Sequence, residues 1–149
     1  MKKGSIFLAM FMAVFLMASI VMADTWKDYR DARATAITCE EQGNTLCAVD
    51  AYLKAREAAL ELKNFDGTPY QARAVIADWQ TNNAAYVLIK AFTKTRDYEL
   101  LEQAKAILTV NELKGPPAEK AKNNLAYCNE QLKEAAAKAD YDSAAADAK

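Results

Sequence analysis

The sequence predicts an all-α protein made of antiparallel helical hairpins behind an N-terminal export signal. Three observations carry this reading. Alanine, the best helix former, supplies 27 of the 126 residues after position 23. No stretch shows the strict apolar–polar alternation of a half-buried strand. After the leader, glycine and proline occur only at Gly43, Gly67, Gly115, Pro69, Pro116 and Pro117, each between helix-periodic segments.

The leader comes first. Lys2 and Lys3 precede an apolar run from Ile6 to Met22, and Val21-Met22-Ala23 ends it with small residues at the two positions a signal peptidase reads. All five methionines lie in this segment. Cleavage after Ala23 makes Asp24 the first mature residue. The alternative is an uncleaved anchor, because the run sits at the short edge of what spans a bilayer. No later segment is apolar enough to do so. The short, two-lysine leader looks bacterial, so the expected location is the periplasm or the exterior. The chain thus divides into a signal peptide (1–23), a helical domain (24–139) and an alanine-rich tail or fraying helix (140–149).

Thr25 to Glu41 reads as the first helix, with Trp26, Tyr29, Arg33, Ala36 and Ile37 spaced by threes and fours. Gln42-Gly43-Asn44 turns the chain. Leu46 to Lys63 is the second helix, carrying Val49, Tyr52, Leu53, Ala59 and Leu60 on one face. A loop from Asn64 to Pro69 follows. The third run, Tyr70 to Thr95, presents Ile76, Trp79, Tyr86, Ile89 and Phe92. It reads as one helix, with a break at Thr81-Asn82-Asn83 as the alternative, since Asn favours turns and caps. Arg96-Asp97 turns into a fourth helix, Tyr98 to Leu113. Gly115-Pro116-Pro117 stops it and opens a fifth, Ala118 to about Ala139, presenting Ala121, Leu125, Cys128 and Leu132. Tyr52, Trp79, Tyr86 and Phe92 are expected in the core.

Gly43-Asn44, Ala48, Tyr52 and Ala55 place a glycine turn, a small residue, an aromatic and another small residue along the second helix. This series resembles the second helix of a tetratricopeptide repeat. There, small residues admit a close neighbour and the aromatic fills the space beyond. Asp97-Tyr98, Phe92 and Asn124-Leu125-Ala126 extend the resemblance more thinly over residues 29–145. Leu101, Lys105 and Leu108 depart from the small–aromatic–small series, and Ala32 stands where the family usually has tryptophan. The resemblance implies a short array of stacked hairpins whose groove binds a protein or peptide.

Composition narrows the chemistry. Histidine is absent, which removes the commonest neutral-pH base and metal ligand. Without the leader, 17 basic residues face 20 acidic ones, and no basic patch suggests a nucleic acid partner. The chain has no glycine-rich phosphate loop, no Cys-x-x-Cys and no plausible serine nucleophile setting. Glu40-Glu41 and Asp140/Asp142 read as solvated helix exteriors. No catalytic residue, metal site or cofactor is therefore expected. Cys39 and Cys47 flank the first turn, where antiparallel packing brings them near each other. A disulfide there, free thiols, and a pairing with Cys128 all remain open. The expected function is a non-catalytic exported adaptor for an envelope protein or peptide. A self-associating structural protein and a small-ligand carrier are the alternatives. Asn83, Tyr86, Lys90, Asn123 and Tyr127, on the first helices of successive hairpins, are the candidate partner contacts.

Overall fold

The computed structural model describes residues 25–110 and 113–147. The expected leader, and the expected cleavage that would begin the chain at Asp24, fall outside the described residues. Within them are five helices and no strand beyond an isolated bridge between Lys63 and Pro69. Residues 25–41 form α1. Then come α2 (Thr45–Leu60), α3 (Arg73–Thr95), α4 (Tyr98–Thr109) and α5 (Pro116–Asp147).

Each turn has a local cause. Gly43 adopts a left-handed φ of 72°, and Asn44 N–H donates to the Cys39 carbonyl at 2.9 Å while Gly43 N–H donates to that of Glu40 at 3.0 Å. These two bonds are the Schellman stop of α1. The Asn44 side chain then accepts from Cys47 N–H at 3.2 Å and starts α2. At the other hairpin, Arg96 takes the left-handed conformation at φ 58°, and Asp97 caps α4 by accepting from Glu99 N–H at 3.0 Å.

The loop before α3 is a small closed hairpin. Asn64 N–H donates to the Thr68 carbonyl at 2.7 Å, and Tyr70 N–H to that of Leu62 at 2.8 Å. Asp66 accepts from both the Thr68 amide and hydroxyl. Those bonds, the hydroxyl's first, hold the Asp66 carboxyl below its usual range.

Helix direction follows from pairs of contacts. The Cys39–Cys47 disulfide ties the end of α1 to the start of α2, while Trp26 Nε1 donates to the Lys63 carbonyl at their far ends. The two helices are therefore antiparallel. Gln80 reaches Tyr29 and Lys90 reaches Glu40, so numbers rise together and α1 and α3 run parallel. Lys114 N–H donates to Asp78 and Asn124 to Asn82, which sets α5 parallel to α3 in the same way.

α3 holds the core together. One cluster joins its Ala85, Leu88, Ile89 and Phe92 to Leu101, Ala104 and Leu108 of α4 and to Ala121 and Cys128 of α5. A second joins its Ala84 and Val87 to Ala36 and Cys39 of α1 and Ala48, Ala51 and Tyr52 of α2. A third packs its Ala77 with Ala59 and Leu62, under Trp26, Tyr29 and Tyr70.

The helix also runs unbroken through Thr81-Asn82-Asn83, as the absence of Gly and Pro predicts. Thr81 Oγ1 donates back to the Ala77 carbonyl at 3.2 Å, and buried Asn82 accepts from Asn124 at 3.0 Å. The helix's own carbonyl thus takes up Thr81 and α5 takes up Asn82, the side chains that would otherwise favour a turn.

Several expectations need correction. Tyr86 is 49% exposed and not core. It falls on the strip of α3 that also carries Asn83 and Lys90, three residues before it and four after. Trp79 is half-buried, while Tyr52 and Phe92 are core as expected. Ile37 and Leu60 sit at the edge of their packing faces and are exposed. α4 ends at Thr109, four residues short of Leu113, and leaves Val110 outside. α5 starts at Pro116 and continues through Asp147, so residues 140–147 are helical. No helix among the described residues is long and apolar enough to cross a membrane.

Candidate functional site

The first helices of the hairpins, α1 and α3, lie side by side and leave a polar and aromatic strip between them. At one end is a hollow of about 320 Å³ lined by Tyr29, Arg33, Ile76, Trp79, Gln80 and Asn83. It is open to solvent rather than enclosed. Gln80 is the most deeply buried of these, at 3% exposure, and so forms its floor. Its amide nitrogen donates to the Tyr29 hydroxyl and the Ile76 carbonyl, both at 3.3 Å. Its carbonyl oxygen is buried and has no hydrogen-bond partner. An acceptor left in that state costs about 1–3 kcal/mol. Arg33 is exposed on the rim. Among the described residues no carboxylate lies within ion-pair distance of it.

At the other end, Lys90 Nζ lies 2.8 Å from Glu40 Oε1 and 5.8 Å from the centroid of the Tyr86 ring. Glu40 also accepts from the Tyr52 hydroxyl at 3.0 Å. Glu40 is therefore a half-buried junction and not a solvated exterior residue, whereas Glu41 is exposed as expected. The Lys90 hydrogen bond holds the Glu40 carboxyl below its ordinary range, against the opposing effect of burial, and Tyr52 adds to the lowering. The same bond raises Lys90. Burial first, and then Glu40, push the Tyr52 hydroxyl up to about 12, with Arg33 opposing. A hollow of about 170 Å³ beside this junction is lined by Gly43, Thr45, Val87 and Lys94 among others.

Asn83, Tyr86 and Lys90 thus share one strip facing α1. Asn123 and Tyr127 lie on α5, and no hydrogen bond or ring contact joins them to that strip among the described residues. Asn123 is exposed. Tyr127 is half-buried and packs against the α3–α4–α5 core, so it is a packing residue first. Of the neighbouring pair, Asn124 is the residue that reaches α3.

The Cys39–Cys47 disulfide is present, with a Cα–Cα distance of 5.7 Å. Cys128 is a free, buried thiol, pushed up chiefly by that burial. The described residues include no cluster of three or more metal-ligating side chains. No group of nucleophile, base and orienting residue comes together on the strip.

Sequence reasoning placed Arg33 on a packing face and passed over Gln80. The signal for Gln80 lay in its position between Ala77 and Ala84, three residues after one and four before the other. A polar residue on a stripe of small apolar ones is a buried polar residue.

Comparison of the chain with protein-family models, with curated proteins and with solved structures gives no match.

Proposed function

We propose that the protein is a small, exported, non-catalytic adaptor of the cell envelope. In this reading it binds a protein or peptide along the strip between α1 and α3, as a short tetratricopeptide-like array does. The observation that carries it is the alternation of helix direction. Parallel α1, α3 and α5 with antiparallel α2 and α4 between them, α4 having its Tyr98 against Phe92 and its Val110 near Thr81, is the arrangement that stacked hairpins require. It leaves Arg33, Asn83, Tyr86 and Lys90 along one side. The small seam of Ala48 and Ala55, both fully buried, supports the same reading. So does the leader, which sends the chain out of the cytoplasm.

A photo-crosslinking residue placed at position 86 tests the surface, with position 110 on the α4 side as control. Adducts with one envelope protein from position 86 alone support the adaptor. Adducts only between copies of the chain support the self-associating alternative, which the exposed last turns of α5 favour. Intact mass of protein from its own host tests export: the chain should begin at Asp24, and full-length protein in the cytosol would refute it.

A further inference from the structure

We propose that the outer face of α5 pairs antiparallel with the same face of a second copy of this chain, about a twofold axis at Ala126. The inference goes beyond the adaptor reading and does not depend on it. α4 and α5 pack on one side of α3, and α1 and α2 on the other, so a pair keeps both α1–α3 strips open.

The order of charges along that face selects the occupant. Ala121 and Cys128 of α5 sit in the core. At about 3.6 residues per turn, Glu119, Lys122, Ala126, Glu130 and Lys133 fall on the opposite side of the helix, and all of them are exposed. Their spacing is three, four, four and three, which reads the same from either end, while the charges read opposite. With two copies antiparallel about Ala126, Glu119 of one is level with Lys133 of the other, and Lys122 with Glu130. The twofold axis repeats both pairs, so every charge on the face meets its opposite. In parallel register each residue meets its own kind, Glu on Glu and Lys on Lys, and the helices repel. The face therefore fits its own reversed copy and disfavours the parallel one.

Size agrees with sign. The residue on the axis is alanine, so nothing larger than a methyl group holds the two backbones apart there. From Glu119 to Lys133 the contact runs about 21 Å, at a rise of 1.5 Å per residue. Within one copy these charges are not spent on each other. Elsewhere on the surface, charges along one helix close into ion pairs, Lys27–Asp31 at 2.6 Å and Lys54–Asp50 at 2.7 Å. Glu119, Lys122, Glu130 and Lys133 have no ion-pair partner among the described residues. Water solvates them in the single chain, and exposed pairs contribute little each, so the pairing is weak and sensitive to salt. It is half complete at roughly 0.1 mM, and the chain is single at the roughly micromolar concentration of a thermal melt.

Sedimentation equilibrium of the purified protein, from about 10 µM to about 1 mM, tests this. The native chain should pair, and raising the salt to about 0.5 M should weaken the pair at least fivefold. Lys122→Glu sets like charges against Glu130, and Glu130→Lys sets them against Lys122, so each variant alone should pair at least tenfold more weakly. Both positions are exposed, so the variants keep the fold. An equimolar mixture of the two restores opposite charges at every position and should pair as well as the native chain. The double variant should do the same by itself. A native chain that stays single to about 1 mM overturns the inference. So do single variants that pair as the native chain does, or a mixture that pairs no better than its components. The adaptor reading, tested at position 86, survives any of these.

Discussion

Leucine at position 48 is a direct probe of the helix seam. Ala48 is fully buried, and it clusters with Ala36 of α1 and Ala84 of α3, also fully buried. Ala51, Ala55 and Ala59 continue the seam along α2 at 4%, 0% and 0% exposure. Methyl groups facing methyl groups let the helices approach closely, so no free volume waits for a longer side chain. Ala48→Leu adds three carbon atoms there. Overpacking of a tight core costs about 1–3 kcal/mol through displaced backbone and off-rotamer side chains. For a chain of this size that lowers the thermal midpoint by roughly 4–15 °C. Ala126→Leu, on the exposed side of α5, is the control, with an expected change within about 0.5 kcal/mol. Thermal unfolding followed by circular dichroism reads both. If the two variants melt together, position 48 is not confined and the close α1–α2–α3 contact is wrong.

Reducing the Cys39–Cys47 bond, or replacing both residues by Ala, removes a short loop closure and should cost about 2–3 kcal/mol in urea unfolding; peptide mapping without reduction should show this pair linked and Cys128 free. The raised Tyr52 hydroxyl makes the fold prefer the protonated form, so its contribution is complete below the ordinary tyrosine range and is lost as pH climbs from about 10 towards 12. Stability measured across that window should therefore fall less steeply in Tyr52→Phe, which at pH 7 is less stable by about 1 kcal/mol. Arg96 occupies a left-handed backbone position that favours glycine, so Arg96→Gly should raise stability by up to about 1 kcal/mol, the loss of its contact with the Phe92 ring tempering the gain. An Arg96→Gly variant that unfolds earlier in urea would contradict this.

What could be read in advance was local. Gly43 and Asn44 announce a helix stop and a helix start with three residues between them, and that short turn is also what brings Cys39 and Cys47 together. The small residues at Ala48 and Ala55 announce a close contact, expected with α1, and Ala48 meets Ala36 of α1 and Ala84 of α3 alike. What could not be read was rotation and distant pairing. Tyr86 and Ile89 are both apolar enough for a core, and only the packing of α4 and α5 against one side of α3 decides that Ile89 is covered and Tyr86 is not. Glu40 meets Lys90 across fifty residues, and Gln80 meets Tyr29 across fifty-one. Neither pair leaves a trace in local spacing. The candidate site was therefore legible as one strip of α3, while its floor and its unpaired arginine emerged only from the way α1 lies beside it.

α3 supplies side chains to every one of the three buried clusters, from Ala77 at one end to Phe92 at the other. Longer stacks of hairpins divide their stability among neighbouring units and can come apart a unit at a time. Here there is no unit to remove that leaves another whole, because the α1–α2 pair and the α4–α5 pair both pack on α3. Loosening α3 at any level opens α1–α2 on one side and α4–α5 on the other. Equilibrium unfolding should then be a single transition, and amide exchange along the middle of α3 should track it, opening only when the whole molecule does.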